Sequence, residues 1–346
     1  MRILIDIGHP AHVHFFKNLV QILSGKGHQI LITARDKDVA FRLLDSYGFR
    51  YEKMKGYPKN LFAKIVSVLP TDWKLYRIGK KFSPDILLGF CSINASHASA
   101  LLKKPCVLFD DDEYHTFSTY LFTKTACTFH NCRKNLGQKQ VTINGFKELA
   151  YLHPRYFTPD PTILSGLNLT KESRFAVLRF VAWQASHDFG QHGFDMTTKR
   201  RLVKELERYA KVFISSEAPL PDEFEQYKIP ISPEKLHDLL YYATLLIGDS
   251  QTMTTEAAVL GTPAIRCNSW VGPNDMGNFV ELENVYNLIY SFQEPDKAIQ
   301  KAIELIQQPD LKDQWEIKRQ RLLDDKVDVT GFMVDFIENY PESFRK

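Results

Sequence analysis

The chain has 346 residues, a length that favours two domains over one large or three small ones. Apolar residues make up 44% and charged residues 25%, which excludes a disordered, collagenous or coiled-coil chain. Its 44 Lys plus Arg stand against 41 Asp plus Glu, and a net +3 spread along the chain gives no electrostatic ground for nucleic acid or for stable attachment to anionic lipid. From the first residues the pattern is strand then helix. Arg2 to Ile7 is a short apolar run, Gly-His-Pro turns the chain, and an amphipathic stretch from about His14 to Ser24 stops at Gly25-Lys-Gly27. A second strand at 28–33, a helix over 37–47, a strand at 49–53 and a helix near 73–82 continue the alternation. Strand 85–89, helix 93–102, strand 105–109 and two strand-like runs at 126–130 and 140–143 follow. Strands that are apolar throughout and alternate with helices imply a parallel sheet covered on both faces.

Between about Asn144 and Asn168 the pattern lapses into His153-Pro, Thr158-Pro-Asp-Pro161 and Ser165-Gly, the composition of a linker. It then resumes with strand 175–181, a long polar loop, helix 197–210, strand 211–215, helix 232–243, strand 245–248, helix 252–260 and strand 263–267. Helices at 297–307 and 311–324 and an amphipathic helix at 331–340 close the chain. The expected organisation is an N-terminal domain over 1–155, a linker over 156–168, a C-terminal domain over 169–326, and a terminal segment 327–346 that packs back across the junction. Two doubly wound domains of this kind place a ligand between facing strand ends.

The five cysteines, Cys91, Cys106, Cys127, Cys132 and Cys267, form no C-x-x-C pair, so neither a disulfide framework nor a zinc knuckle is indicated, and they read as reduced thiols of a cytoplasmic protein. Asp6 and His9 interrupt the apolar core that a signal peptide requires. No run approaches ~18 apolar residues, so no membrane span is expected. Leu61, Phe62, Ile65, Val66, Val68 and Leu69 recur with helical spacing between Lys59 and Lys64 and could touch a bilayer at its surface, although a core-facing helix is the simpler reading. Walker, G-x-S-x-G and G-x-G-x-x-G signatures are all missing, which leaves ATPase, hydrolase and nicotinamide chemistry without their motifs, and no cofactor is expected.

The richest stretch runs from Leu245 to Arg266: an apolar strand, a tight turn Gly248-Asp-Ser-Gln-Thr252, a helix carrying Glu256, a stop at Gly261 and a strand opened by Pro263. The unpaired N–H groups and positive dipole end of that helix suit a phosphate or diphosphate, and Glu256 lies where a carboxylate could accept bonds from a ribose diol. A plain capped helix, with Ser250 or Thr252 as its N-cap, accounts for the same residues. Gly-Asp-Ser-x-Thr-x-x-x-Glu-Ala-x-x-x-Gly-Thr-Pro resembles the donor motif of GT-B nucleotide-sugar enzymes, notably the UDP-N-acetylglucosamine 2-epimerases and the N-acetylglucosaminyltransferase that completes lipid II. Together with the opening Asp6-Ile-Gly-His-Pro-Ala-His-Val-His-Phe-Phe and the middle Arg179-Phe-Val-Ala-Trp-Gln-Ala-Ser-His-Asp188, nearly the whole chain is similar to a bacterial and archaeal family of GT-B-like proteins known as a domain of unknown function. The resemblance implies an α/β GT-B fold of two Rossmann-like domains. It also implies that Ser250, Gln251 and Thr252 meet the donor diphosphate, that Glu256 holds the ribose and that Ile231 holds the base. Related enzymes have Ser-Gly where this chain has Ser250-Gln251.

Arg179 to Phe194 is a loop too long for an ordinary strand-to-helix connection, which points to a task. Arg179 suits a phosphate, and His187 and Asp188 suit proton transfer or a sugar contact. The 2-epimerases carry a His-Arg-Arg-Glu-Asn run near here that this chain does not. His9, His12 and His14 fall in a spacing that matches no helical metal pair, so no metal site is expected, and Gly8 and His9 form the turn. Similar transferases place a Gly/His loop here against donor phosphates or the acceptor, so the resemblance implies such a role for Gly8, His9 and His12, with His14 as readily a packed helix residue. Asp110-Asp-Asp-Glu113 ends a strand, and mutual repulsion there would raise one carboxyl towards general-base range, with Asp111 and Glu113 as the candidates. The expected activity is transfer of a sugar from a nucleotide-sugar, with UDP preferred, to a hydroxyl of a glycan or lipid-linked acceptor. The alternatives are a nucleotide-sugar 2-epimerase and a non-catalytic nucleotide-sugar sensor.

Overall fold

A computed structural model of the chain describes residues 1–37, 39–56, 61–111, 117–182 and 191–344, without the side chains of 61–66 and 117–118. Two compact units emerge, Met1–Tyr151 with Lys326–Lys346, and Leu152–Asp325. The proline-rich stretch 156–168 is part of the second unit, and the terminal helix is part of the first.

The first unit contains β1 (Arg2–Ile7), α1 (Pro10–Gly25), β2 (Gln29–Arg35), α2 (Ala40–Ser46), β3 (Tyr51–Met54), α3 (Leu61–Phe82), β4 (Ile86–Phe90), α4 (Ile93–Leu102), β5 (Cys106–Asp110), β6 (Thr125–Phe129), β7 (Gln140–Ile143) and the short α5 (Leu149–Leu152). Its seven strands are all parallel in the order β3-β2-β1-β4-β5-β6-β7. The order reverses between β1 and β4. Ile3, Leu4 and Ile5 of β1 and Leu87 and Leu88 of β4 are wholly buried, because helices cover both faces of the sheet.

The second unit contains α6 (Thr162–Gly166), β8 (Phe175–Phe180), α7 (Met196–Leu206), β9 (Lys211–Ser216), α8 (Leu236–Tyr242), β10 (Leu245–Gly248), α9 (Gln251–Leu260), β11 (Ala264–Cys267), α10 (Gly277–Asn284), β12 (Ile289–Phe292), α11 (Pro295–Ile306) and α12 (Leu311–Asp325). Its five parallel strands run β12-β11-β10-β8-β9, and the order reverses between β8 and β10. The last α-helix, α13 (Val329–Glu338), packs on α1, and a 3-10 turn at Glu342–Phe344 follows it.

Most strands lie within a residue or two of their expected places. Three elements differ from their expected form. Helix α3 is a single helix of 22 residues that includes Pro70, where the sequence suggests separate pieces. Residue 60 lies outside the described residues, as do the side chains of most of the apolar run that follows it. Strand β12 and helix α10 carry little signal: β12 is four residues with three of them part-exposed, and α10 opens on Gly277-Asn278. Tertiary contacts hold them. Trp315 of α12 is buried and donates its indole N–H to the Leu288 carbonyl at 2.8 Å, just before β12.

None of the five cysteines forms a disulfide. Burial pushes the Cys106 thiol up to about 12 and the Cys127 thiol higher still. Among the described residues no helix is long and apolar enough to cross a membrane.

Candidate functional site

In a doubly wound sheet, ligands bind beyond the carboxyl ends of the strands where the strand order reverses. In the first unit that point lies between β1 and β4. The β1 turn is held by its own imidazoles: His9 is the N-cap of α1 and accepts from the Ala11 N–H at 3.2 Å, Pro10 supplies the first helical residue, and the Gly8 N–H points at His12 Nδ1 at 3.4 Å. The His9 and His12 rings are 5.8 Å apart, and His12 lies 5.0 Å from the ring of Phe90, the last residue of β4. Lys147 sits over the same Phe90 ring at 5.9 Å and forms an ion pair with Asp111. His12 and Lys147 thus flank one aromatic ring, with Gly8 and His9 joined to His12 and Asp111 joined to Lys147. His14 points elsewhere, buried against Tyr151 at 5.4 Å with its Nδ1 sharing a hydrogen bond with the Tyr47 hydroxyl.

Two carboxylates of the acidic run, Asp110 and Asp111, are described, and each has bonded partners. Asp110 is wholly buried and accepts from the Cys91 thiol at 2.7 Å and from the Tyr120 hydroxyl, with Lys134 at 3.3 Å. Asp111 is paired with Lys147. Each described carboxylate has a cation beside it, so repulsion within the run is offset locally. Glu113 lies outside the described residues. Cys91 has φ of 49°, a left-handed conformation rare for a non-glycine residue, at the carboxyl end of β4.

Beneath these groups is a polar network that reading the sequence missed. Asp6, buried in β1, accepts from Thr33 at 2.7 Å and Ser92 at 2.5 Å and lies 3.7 Å from the Arg35 guanidinium. Arg35 donates to Asn94 at 2.6 Å, Asn94 donates to Asp72 at 2.5 Å, and the other Asp72 oxygen meets His97 Nδ1 at 2.6 Å. The available signal was one charged residue inside each of two apolar strand runs, Asp6 in ILIDI and Arg35 in ILITAR. A charge there is tolerated only when paired.

In the second unit the switch point lies between β8 and β10, where Arg179 and Gly248 stand opposite each other. A Cβ at position 248 would crowd the Arg179 carbonyl and come within 3.0 Å of its side chain, so the close approach requires glycine. Beyond Gly248, Ser250 caps α9 by accepting from the Met253 N–H at 3.3 Å, and Gln251 and Thr252 form the helix's first turn, half-buried. Asp249 is buried and accepts from the Val181 N–H at 2.8 Å. The far end of the long loop is pinned at Ser269, which exchanges bonds with the His192 backbone at 2.9 and 3.0 Å. His187 and Asp188 lie outside the described residues.

Arg179 is engaged through both terminal nitrogens, donating to Ser215 and to Glu217, each at 2.7 Å. Its Nε is buried with no partner among the described residues. Glu256 is 4% exposed and pairs with His237 Nε2 at 3.0 Å. His237 is a partner that the sequence did not reveal. Ile231 lines a cavity of about 190 Å³ with Pro230, Ile163, Leu167, Asp160 and Lys235. Bonds from Thr162 and then from Lys235 hold the Asp160 carboxyl down at about 2, so it stays ionised at neutral pH. Among the described residues no three His, Cys, Asp or Glu side chains group to hold a metal ion.

Residues 1–341 match the family described as Protein of unknown function (DUF354). The chain belongs to the DUF354 family. An uncharacterized protein of Methanocaldococcus jannaschii is 24% identical over 282 residues, covering 76% of this chain and 80% of that one. Among solved structures, UDP-GlcNAc 2-epimerase from Neisseria meningitidis bound to UDP-GlcNAc is similar at a TM-score of 0.67 and 12% identity, covering 98% of this chain and 100% of that one. Spinosyn forosaminyltransferase SpnP is similar at a TM-score of 0.65 and 12% identity, covering 100% of both. The DUF354 chain thus has the GT-B fold that its motifs led us to expect. One fold hosts several reactions, so the reaction has to be argued from the site.

Proposed function

We propose that this DUF354 protein is a glycosyltransferase that moves a sugar from a nucleotide-sugar, with UDP as the preferred nucleotide, to a hydroxyl of a glycan or lipid-linked acceptor. The observation that carries the reading is the capped start of α9 at the β8/β10 switch point. A helix N-terminus has N–H groups without intrahelical partners and the positive end of the dipole, which favours a diphosphate. On this reading the second unit takes the donor, with Ser250, Gln251 and Thr252 at the diphosphate, Arg179 beside it, Ile231 at the base and Glu256 at the ribose. The first unit takes the acceptor at Gly8, His9 and His12. His9 or Asp111 receives the acceptor proton, and Glu113, His187 and Asp188 are further candidates. The positive end of α9 stabilises the leaving diphosphate. No metal or cofactor takes part, and the five cysteines without a disulfide suit a cytoplasmic enzyme.

The donor assignment is tested by calorimetry against UDP, GDP, CMP, ADP, dTDP and their sugar conjugates. One nucleotide class should bind. Glu256→Gln should then weaken binding by about tenfold or more, because a hydrogen bond to a charged group is lost. Unchanged affinity would make Glu256 a buried partner of His237 and nothing more. The epimerase reading, prompted by the likeness to a UDP-GlcNAc 2-epimerase, makes a separate claim. Incubation with UDP-N-acetylglucosamine alone in deuterated water should then exchange the sugar's C2 proton, whereas a transferase leaves it in place.

A further inference from the structure

Sheet crossovers place α3 and α4 side by side on one face of the first unit, while α1 packs with α2 and α13. The inner side of the pair is ordinary core: Leu75 and Ala98 are buried against Leu4, Leu87 and Leu108. The outer side is not ordinary. Leu69 is 76% exposed, Trp73 59%, Leu101 54%, Leu121 53% and Phe122 47%, and these five are the most exposed large apolar residues described in this unit. They lie on neighbouring segments, since α3 packs along α4 and α4 packs against residues 117–120. Leu69, Trp73 and Tyr76 follow one helical stripe, with the Trp73 and Tyr76 rings 5.3 Å apart. Asp72, next to Trp73, bonds His97, whose ring meets Phe122 at 5.6 Å, and Leu101 lies one turn after His97.

The charge on the same segments has one sign. Residues 67–82, 93–104 and 119–124 hold seven exposed cations, Lys74, Arg77, Lys80, Lys81, Lys103, Lys104 and Lys124, and one acid. That acid, Asp72, is buried and bonded to Asn94 and His97. Exposed apolar and aromatic residues that share their segments with cations of one sign are the pattern of a surface that lies on anionic lipid. A second copy of the chain fits poorly, since a two-fold contact would set the same cations against each other.

We propose that the outer face of α3 and α4, with the segment Tyr120–Lys124, docks this protein on the surface of an anionic bilayer. Flotation of the full chain with vesicles of equal parts phosphatidylcholine and phosphatidylglycerol tests it, with phosphatidylcholine alone as the reference. The protein floats with the anionic vesicles and not with the neutral ones, and salt weakens the binding. Emission from Trp73 shifts to the blue on binding, and this shift is lost in Trp73→Ser. The combined Lys80→Glu, Lys81→Glu, Lys103→Glu and Lys104→Glu variant partitions at least about tenfold less, because each lysine near the surface contributes to attraction. These positions are exposed, so thermal melts should show both variants folded. Absence of flotation by the folded protein overturns the proposal, as does undiminished binding by the charge-reversed variant. A dimer that Trp73→Ser dissociates, with no lipid binding, would assign the face to a second copy. These outcomes do not depend on nucleotide-sugar binding.

Discussion

An Asp6→Ala variant should unfold in urea with about 3–5 kcal/mol less stability than the parent, the cost of breaking a buried ion pair by removing one partner. Asp6 is 1% exposed and Arg35 2%, so the deletion leaves a guanidinium inside the protein without its carboxylate, and it strips Thr33 and Ser92 of their acceptor. Replacing both ends by apolar residues of similar size, Asp6→Leu with Arg35→Met, should recover much of the loss, because no charge is then left buried alone. A loss below about 1 kcal/mol for Asp6→Ala would mean that the remaining network neutralises Arg35 unaided. The network also ties the end of β1 to the turn after β4, so the same variant should loosen the turn that presents His9 and His12.

Gly248→Val should affect both stability and donor binding. Any Cβ there meets the Arg179 carbonyl, which already accepts from the Asp249 N–H at 3.2 Å, so β8 and β10 must separate at their carboxyl ends. Overpacking of this kind costs about 1–3 kcal/mol. The residues displaced first are Asp249, which anchors Val181, and Ser250, which caps α9. If the start of α9 holds the diphosphate, nucleotide affinity measured by calorimetry should fall by more than about tenfold in a protein that still folds. A stable Gly248→Val protein with unchanged nucleotide affinity would place the donor elsewhere.

The strand and helix alternation was legible because a parallel sheet buried on both faces requires largely apolar runs: β4 and β10 are wholly apolar, and β1, β5 and β8 are apolar but for charged residues at or near their ends. The α9 turn was legible for a local reason: Ser250, the helix and Gly261 are contiguous, and Gly261 closes the helix at φ of 77°. Partners far apart in the chain were not legible. Nothing near Glu256 announces His237, and nothing near Asp72 announces Asn94 or His97. The cations beside Asp110 and Asp111 were hidden for the same reason, since Lys134 and Lys147 are neighbours in space and not in sequence.

Taken alone, the sequence determined the fold class, the family and the turn at Gly248–Thr252, because periodicity, composition and capping act over a few consecutive residues. Tertiary structure alone decided which charges meet. A net +3 over 346 residues carries no electrostatic message when spread out, yet folding packs together segments that hold seven exposed cations and five exposed apolar side chains. Coulomb attraction and apolar burial depend on distance in space, and the crossovers that join β3, β4 and β5 set those distances.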